Sequence, residues 1–265
     1  MGSFSGNFYS EELKTTTRIN LILPDASNDV TPLLGGTPKL LFLLHGLGGN
    51  CDEWLRFSKI EYYAKKFNLI VVMPEAQRSF YCDYPTAPRY FHYVADELPQ
   101  LCEQWFALRR PREDCMIAGE SMGGYGALKI GLRRPERFGT IAALSGVLDF
   151  RRFVDEARAG MLSEIEPGEF DALFPTGELP EEDDPIALVR RAAAQADRPR
   201  LIQLCGTEDF LYEHNRRFRL AAEEAGYGHC YGEGPGEHAW PYWDRAIQTA
   251  LRFFLGLETD GEFYY

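Results

Sequence analysis

The chain has 265 residues, of which 45% are hydrophobic, and a formal net charge of −12. This length predicts one large α/β domain spanning residues 1–265. The acidic residues are spread along the chain, and the basic residues form no cluster. This pattern argues against nucleic acid or an anionic membrane surface as a partner. No run approaches the roughly eighteen apolar residues of a membrane span.

The first half of the chain predicts an antiparallel strand followed by a buried one. Thr15–Leu23 alternates as a half-exposed antiparallel strand does, and the apolar run 40–44 suits a strand buried on both faces of a parallel sheet. The loop His45-Gly46-Leu47-Gly48-Gly49-Asn50 follows. Its glycines let the backbone approach a reacting group, which predicts an oxyanion donor at the Leu47 N–H. His45 is expected to brace this loop by hydrogen bonding.

Two helical stretches and an aromatic loop come next. Residues 52–67 have the apolar spacing of a helix that covers the sheet, and 69–73 read as the next buried strand. The loop 74–88 is either a packed aromatic loop or a wall of a substrate pocket. We favour the pocket, because ligand sites in open α/β sheets form where strands end. Residues 90–106 predict a helix that Pro99 kinks or breaks.

The stretch around Ser121 predicts a strand, a sharp turn and a helix. Residues 115–119 are apolar, Gly119-Glu120-Ser121-Met122-Gly123 follows, and a helix-forming run continues to Arg134. Glycines two positions either side of the serine suit a nucleophile elbow, which would expose Ser121 above the sheet edge. The Met122 N–H at the helix start is the second predicted oxyanion donor. The alternative is an ordinary glycine-rich turn with a surface serine.

The second half predicts two more buried strands and a different intervening segment. The strands are 140–145 and 201–205. Residues 150–200 contain amphipathic and acidic, proline-bearing stretches without a strand, which indicates either a cap-like insertion over the sheet edge or a solvated connector. A short strand near 229–231 and a closing helix over 240–255 complete the pattern.

Three residues have the order and loop positions of a catalytic triad. A serine hydroxyl needs a base to take its proton and a carboxylate to orient that base. Ser121, Asp209 and His238 occur in the order serine, acid, histidine, each in a glycine-marked loop after a strand-like run. Glu208 and Asp149 are rival acids. The rival histidines lie within helical or strand-like runs and are His92, His214 and His229.

Several motifs in register carry a family resemblance over residues 10–256. They are His45-Gly46-Leu47-Gly48-Gly49-Asn50, Val72-Met73-Pro74 with Ser79-Phe80-Tyr81, Gly119-Glu120-Ser121-Met122-Gly123-Gly124-Tyr125-Gly126-Ala127-Leu128, Leu144-Ser145-Gly146 and Gly236-Glu237-His238-Ala239-Trp240-Pro241-Tyr242-Trp243. Together they resemble the esterase D and tributyrin esterase group of α/β-hydrolases. That group is similar to S-formylglutathione hydrolases and to the acetyl and feruloyl esterases of carbohydrate esterase family 1. The resemblance implies a mostly parallel sheet flanked by helices.

The resemblance also implies hydrolysis of short-acyl, acetyl or phenolic esters. We therefore predict a serine carboxylesterase that acts on small-molecule esters without a cofactor. The candidate substrate-binding residues are His45, Trp54, Phe80, Tyr81 and Trp240. S-Formylglutathione hydrolysis is an alternative, although Tyr125 stands where those enzymes usually have histidine. Acyl transfer and an inactive binding module are further alternatives. The sequence leaves the oligomeric state open and is compatible with a homo-oligomer.

The N-terminal residues and the cysteines give expectations for cellular location and metal binding. The N-terminus lacks the basic start and apolar run of a signal peptide, which predicts a cytoplasmic protein. The six cysteines include no C-x-x-C pair and no histidine at metal-ligand spacing, which predicts reduced thiols and no metal site. Cys51 and Cys82 fall in loops near the predicted active site, where either thiol could react.

Overall fold

An eight-stranded sheet forms the centre of the protein. We describe residues 1–25 and 30–257 of a computed structural model; the parts of the predicted domain at 26–29 and 258–265 lie outside the described residues. The strands are β1 (Gly2–Ser10), β2 (Thr15–Leu23), β3 (Lys39–Leu44), β4 (Leu69–Pro74), β5 (Cys115–Glu120), β6 (Thr140–Leu144), β7 (Arg200–Gly206) and β8 (Cys230–Gly234).

The strand order is β1-β2-β4-β3-β5-β6-β7-β8. β2 pairs antiparallel with both β1 and β4, and all other neighbours are parallel. The predicted mostly parallel sheet with an antiparallel strand at Thr15–Leu23 is therefore confirmed. Because β3, β5, β6 and β7 are parallel, the loops that follow them emerge at one edge of the sheet.

Helices cover both faces of the sheet. They are α1 (Glu53–Phe57), α2 (Ile60–Lys66), α3 (Tyr90–His92), α4 (Leu98–Phe106), α5 (Met122–Arg133), α6 (Phe150–Arg158), α7 (Glu169–Leu173), α8 (Pro185–Ala193), α9 (Tyr212–Glu224) and α10 (Trp240–Leu255). One core packs Phe42 of β3 with α5, and the other packs Leu41 and Leu43 with α2 and α10. Alternate residues of a buried strand thus fill opposite layers. Among the described residues, no helix has both the length and the apolar character to cross a membrane.

Two predicted helices are interrupted in the structure. The helix predicted over 52–67 is two helices, because extended Ser58 ends α1 and its hydroxyl accepts the Ile60 N–H at the start of α2. The stretch 90–106 contains a π-helical turn, Tyr93–Glu97, directly before α4. Pro99 has no N–H to donate one turn back, so the predicted break lies in the turn before the proline.

The segment 150–200 packs into the main core. It forms α6, α7, a 3₁₀ turn at Glu181–Asp183, and α8. Phe150 lies with its ring centroid 4.1 Å from that of Tyr125, and Phe170 lies 5.0 Å from Phe80. These buried aromatic contacts exclude the solvated connector that the sequence left open.

A buried lysine joins this segment to the helix that follows Ser121. Lys129 is fully buried, and its Nζ lies 3.0 Å from Asp183 Oδ1, 2.9 Å from Cys82 Sγ and 3.4 Å from the Phe80 carbonyl oxygen. Burial opposes the charge most strongly, but the Asp183 carboxylate and the Cys82 sulfur together outweigh it and raise the pKa of Lys129. The ammonium group therefore ties three separate parts of the chain together.

Replacing Lys129 with Met should lower the free energy of unfolding by about 3 kcal/mol, because Asp183 is left buried without its closest cation. Urea denaturation measures this change. The exposed pair Lys14–Glu11 offers the control, and Lys14→Met should change stability by less than about 0.5 kcal/mol. The double variant Lys129→Met/Asp183→Asn should regain part of the loss. A Lys129→Met protein as stable as the parent would contradict this account.

Candidate active site

Ser121 occupies a strained turn between β5 and α5. Its backbone has φ 54° and ψ −120°, a conformation that side-chain-bearing residues rarely adopt. A Cβ on Gly119 would lie 2.5 Å from the Gly123 carbonyl group, and a Cβ on Gly123 would lie 2.5 Å from the Leu44 carbonyl oxygen. Both positions therefore require glycine, and the turn holds the serine at the carboxyl edge of the sheet.

Ser121, His238 and Asp209 form a hydrogen-bonded chain. His238 Nε2 lies 2.9 Å from Ser121 Oγ, and His238 Nδ1 lies 2.9 Å from both Asp209 carboxylate oxygens. With the proton on Nδ1, the imidazole donates to Asp209 and accepts the serine hydroxyl at Nε2. Asp209 Oδ1 also accepts the Leu211 N–H at 2.8 Å. The structure thus brings together the three residues that the sequence selected.

The rival acids have other partners. Glu208 is adjacent to Asp209, but its carboxylate is exposed and accepts the Gly236 N–H. Asp149 caps α6 and pairs with Arg217 at 2.5 Å. Neither carboxylate contacts the imidazole of His238 among the described contacts.

Two rival bases pair away from the serine. His92 Nδ1 lies 2.5 Å from Asp83, and His214 Nε2 lies 3.1 Å from Glu156. In the described part of the chain, His238 is the histidine that contacts Ser121.

The two predicted oxyanion donors share a cavity with the serine. Leu47 and Met122 both line the cavity that contains Ser121. Met122 is the first residue of α5, so its N–H has no acceptor within the helix. His45 braces the Leu47 loop as predicted, since its Nδ1 lies 2.8 Å from the Gly46 carbonyl oxygen and its Nε2 accepts the Ala76 N–H at 2.9 Å. Burial lowers the pKa of His45, which keeps this imidazole neutral.

The serine opens into a cavity of about 620 Å³, a volume typical of small-molecule sites. Phe80 and Trp240 line it, as predicted. Its other walls come from Gly46, Gly49, Glu53, Glu120, Val147, Phe153, Leu211, Ala239, Trp243 and residues 161–165, and from Phe210, whose ring centroid lies 4.6 Å from that of His238.

Three predicted substrate-binding residues lie behind the cavity wall. His45, Trp54 and Tyr81 are buried and do not line the cavity. Trp54 Nε1 donates to the Leu44 carbonyl oxygen at 3.0 Å, and the Tyr81 hydroxyl donates to the His45 carbonyl oxygen at 2.9 Å. Their polar atoms are occupied in supporting the oxyanion loop, so the prediction of direct substrate contact is wrong for all three.

Sequence reasoning missed several wall residues that local signals could have identified. Phe210 directly follows Asp209. Trp243 lies three positions after Trp240 and therefore on the same face of α10. The rim at 161–165 has no such signal, because the fold alone places that loop over the cavity.

Acidic side chains line the cavity wall. Glu53, Glu120 and Glu164 line it, and the described lining residues include no lysine or arginine. Burial and the charge of Glu53 raise the pKa of Glu120 well above the usual carboxyl range, although a hydrogen bond with the Gly46 backbone opposes this shift. Burial and the neighbouring Glu53 therefore favour the uncharged form of this carboxyl.

The cysteines do not supply a second nucleophile. All six are free, and Cys51 and Cys82 are buried. Burial raises the pKa of both the Cys51 thiol and the Cys82 thiol to about 12, so their reactive thiolate forms are scarce at neutral pH. Within residues 1–25 and 30–257, no group of three or more His, Cys, Asp or Glu side chains is arranged to hold a metal ion.

Comparisons with known proteins cover nearly the whole chain. Residues 10–254 match the family model described as "Putative esterase". The acetyl esterase of Caldicellulosiruptor saccharolyticus is 31% identical over 256 residues, which are 93% of this chain and 96% of that protein. Two solved Staphylococcus aureus structures are each 30% identical, covering 96% of this chain and 98% of theirs. They are the fluorophosphonate-binding serine hydrolase FphF, with a TM-score of 0.82, and an S-formylglutathione hydrolase, with a TM-score of 0.81.

Proposed function

This serine carboxylic ester hydrolase belongs to the matched esterase family and has its α/β-hydrolase fold, and we propose that Ser121, His238 and Asp209 are its nucleophile, general base and orienting acid. The hydrogen-bonded chain from Ser121 Oγ through the His238 imidazole to Asp209 carries this proposal. It has the connectivity that serine activation requires, with a carboxylate fixing the tautomer of the base.

The proposed reaction proceeds through an acyl-enzyme. His238 takes the hydroxyl proton as Ser121 Oγ attacks the ester carbonyl carbon. The N–H groups of Leu47 and Met122 donate to the oxyanion of the tetrahedral intermediate. His238 then protonates the leaving alcohol, and a water molecule, deprotonated by the same imidazole, releases the acid.

We propose that the substrate is an uncharged ester with a short acyl group. A wall with three glutamates and no described cation offers no partner for a carboxylate. Glutathione carries two carboxylates and one ammonium group at neutral pH, so an S-acylglutathione would enter at an electrostatic cost. The likeness to an acetyl esterase supports the short acyl group.

A phenolic ester is the second candidate, and the aromatic wall supports it. Phe80, Phe210, Trp240 and Trp243 all line the cavity. Such rings pack against a planar phenolic group in offset or edge-to-face geometry.

We also propose a cytoplasmic location. The free state of all six cysteines supports a reducing compartment such as the cytoplasm.

A comparison of kcat/KM across four substrates tests the substrate proposal. We expect the value for 4-nitrophenyl acetate to exceed that for S-formylglutathione by at least about tenfold, because charge complementarity is absent for the thioester. The kcat/KM for 4-nitrophenyl butyrate shows whether the cavity accommodates a longer acyl chain. The kcat/KM for methyl ferulate shows whether the aromatic wall binds a phenolic group.

A charge variant at the cavity rim separates electrostatics from shape. Glu164 lies on the exposed part of the wall, and Glu164→Lys should raise kcat/KM for S-formylglutathione by about threefold while leaving that for 4-nitrophenyl acetate unchanged. Preference for S-formylglutathione by the parent enzyme would contradict the uncharged-ester proposal.

A further inference from the structure

The carboxyl group of Glu120 lies directly against the oxyanion loop. Glu120 is the last residue of β5 and precedes Ser121, and its side chain lines the cavity while the residue is only 3% exposed. Its two oxygens fill the space beside Gly46, since a Cβ on that glycine would meet them at 2.6 Å or less. The Gly46 backbone is a hydrogen-bond partner of the carboxyl. This contact fixes the peptide next to the proposed Leu47 donor.

The described surroundings of this carboxyl contain the Glu53 carboxylate, which lies 4.0 Å from the Arg56 guanidinium, and no cation paired with Glu120 itself. Glu53 of α1 shares the cavity wall with Glu120 and its charge raises the pKa of Glu120. Burial raises the pKa of the Tyr81 hydroxyl in the loop after β4, and charge on Glu120 in turn adds to that shift. The neighbouring His45 is neutral and bound to the Ala76 N–H. No described lysine or arginine pairs with Glu120. Burial favours the protonated acid most strongly and Glu53 adds to it, and together they outweigh the Gly46 N–H, which donates to the carboxyl and favours its ionised form.

We propose that Glu120 is a positioning residue that acts in its uncharged form, in which it holds the His45–Gly46 peptide, directly before the proposed Leu47 donor, without placing a negative charge beside the oxyanion. The inference rests on the proposed acylation of Ser121. Its physical basis is that an ionised carboxylate in this water-poor position would oppose the negative charge that develops in the transition state. Loss of the Glu120 proton should therefore produce an alkaline decline in activity.

The pH dependence of kcat/KM for 4-nitrophenyl acetate tests the proposal, with the Ser121→Ala rate subtracted as background. Glu120→Gln keeps an acceptor for the Gly46 backbone and cannot ionise. It should stay within about threefold of the parent at pH 7 and lack the parent's decline of at least about tenfold at alkaline pH. Glu120→Ala removes the support for the loop and should lose at least about tenfold at every pH.

A neighbouring variant gives a readout that a purely structural role would not move. The charge of Glu53 raises the pKa of Glu120. Glu53→Gln removes that charge, lowers the pKa of Glu120, and should shift the alkaline decline to lower pH while leaving Glu120 in place. Thermal melts of each variant report whether the fold is retained.

Three results would overturn the inference. The first is an alkaline profile of Glu120→Gln that superposes on that of the parent, and the second is full activity in Glu120→Ala. The third is an alkaline limb that Glu53→Gln leaves in place. Full esterase turnover by Ser121→Ala would instead refute the proposed nucleophile, so the two failures are distinguishable.

Discussion

Ser121→Ala is expected to lower kcat for 4-nitrophenyl acetate by about 10⁴- to 10⁶-fold. The Ser121 hydroxyl donates a hydrogen bond to His238 Nε2 over 2.9 Å, and alanine has no oxygen that could form the acyl-enzyme. Residual catalysis would come from the oxyanion donors and from substrate binding. Steady-state kinetics measure the loss, and a fluorophosphonate probe followed by mass spectrometry should label the parent at Ser121 and leave the variant unlabelled at that position.

Another serine of the same cavity provides the control. Ser163 lines the rim, so Ser163→Ala removes a hydroxyl from the same pocket without touching His238. We expect its kcat to stay within about threefold of the parent, since an exposed hydroxyl outside the hydrogen-bonded chain contributes little. Equal losses in the two variants, or a fluorophosphonate adduct on a residue other than Ser121, would refute the assignment of the nucleophile.

The elbow and the three proposed catalytic residues were accessible from sequence because their constraints are local. Glycines at 119 and 123 are required by contacts within the turn and with β3, and each of Asp209 and His238 follows a strand in a short loop. Parallel strands place such loops at one edge of the sheet, so the order of the residues along the chain was enough to predict that these side chains lie close together. The same logic located the Leu47 loop.

Side-chain direction in the loop after β4 was not accessible in this way. Phe80 and Tyr81 are adjacent and have similar backbone conformations, with φ of 49° and 51°, yet Phe80 lines the cavity and the Tyr81 hydroxyl binds the His45 carbonyl oxygen behind it. From residue type alone, both side chains are predicted to line the cavity wall. Tertiary contacts decide between them, and those contacts include the buried Phe150 and Phe170 of a segment distant in sequence.

Asp209→Asn is expected to lower kcat by about 10⁴-fold while preserving the fold. The asparagine oxygen can still accept the Leu211 N–H that Asp209 Oδ1 accepts at 2.8 Å, so the loop keeps its turn. The amide NH₂, however, presents a donor to His238 Nδ1, where the carboxylate presents two acceptors at 2.9 Å. The imidazole then favours the tautomer with its proton on Nε2, which cannot accept the serine hydroxyl proton.

The adjacent carboxylate makes the comparison a matched one. Glu208→Gln removes the same charge one residue away, at an exposed position that binds the Gly236 N–H through an oxygen that glutamine retains. Its kcat should remain within about threefold of the parent, because a surface charge is screened and the imidazole keeps its acceptor. If both variants lost activity equally, net charge near the site would explain the effect. A large loss confined to Asp209→Asn requires the specific hydrogen bond to Nδ1, because the two substitutions differ in that contact and not in the charge that they remove.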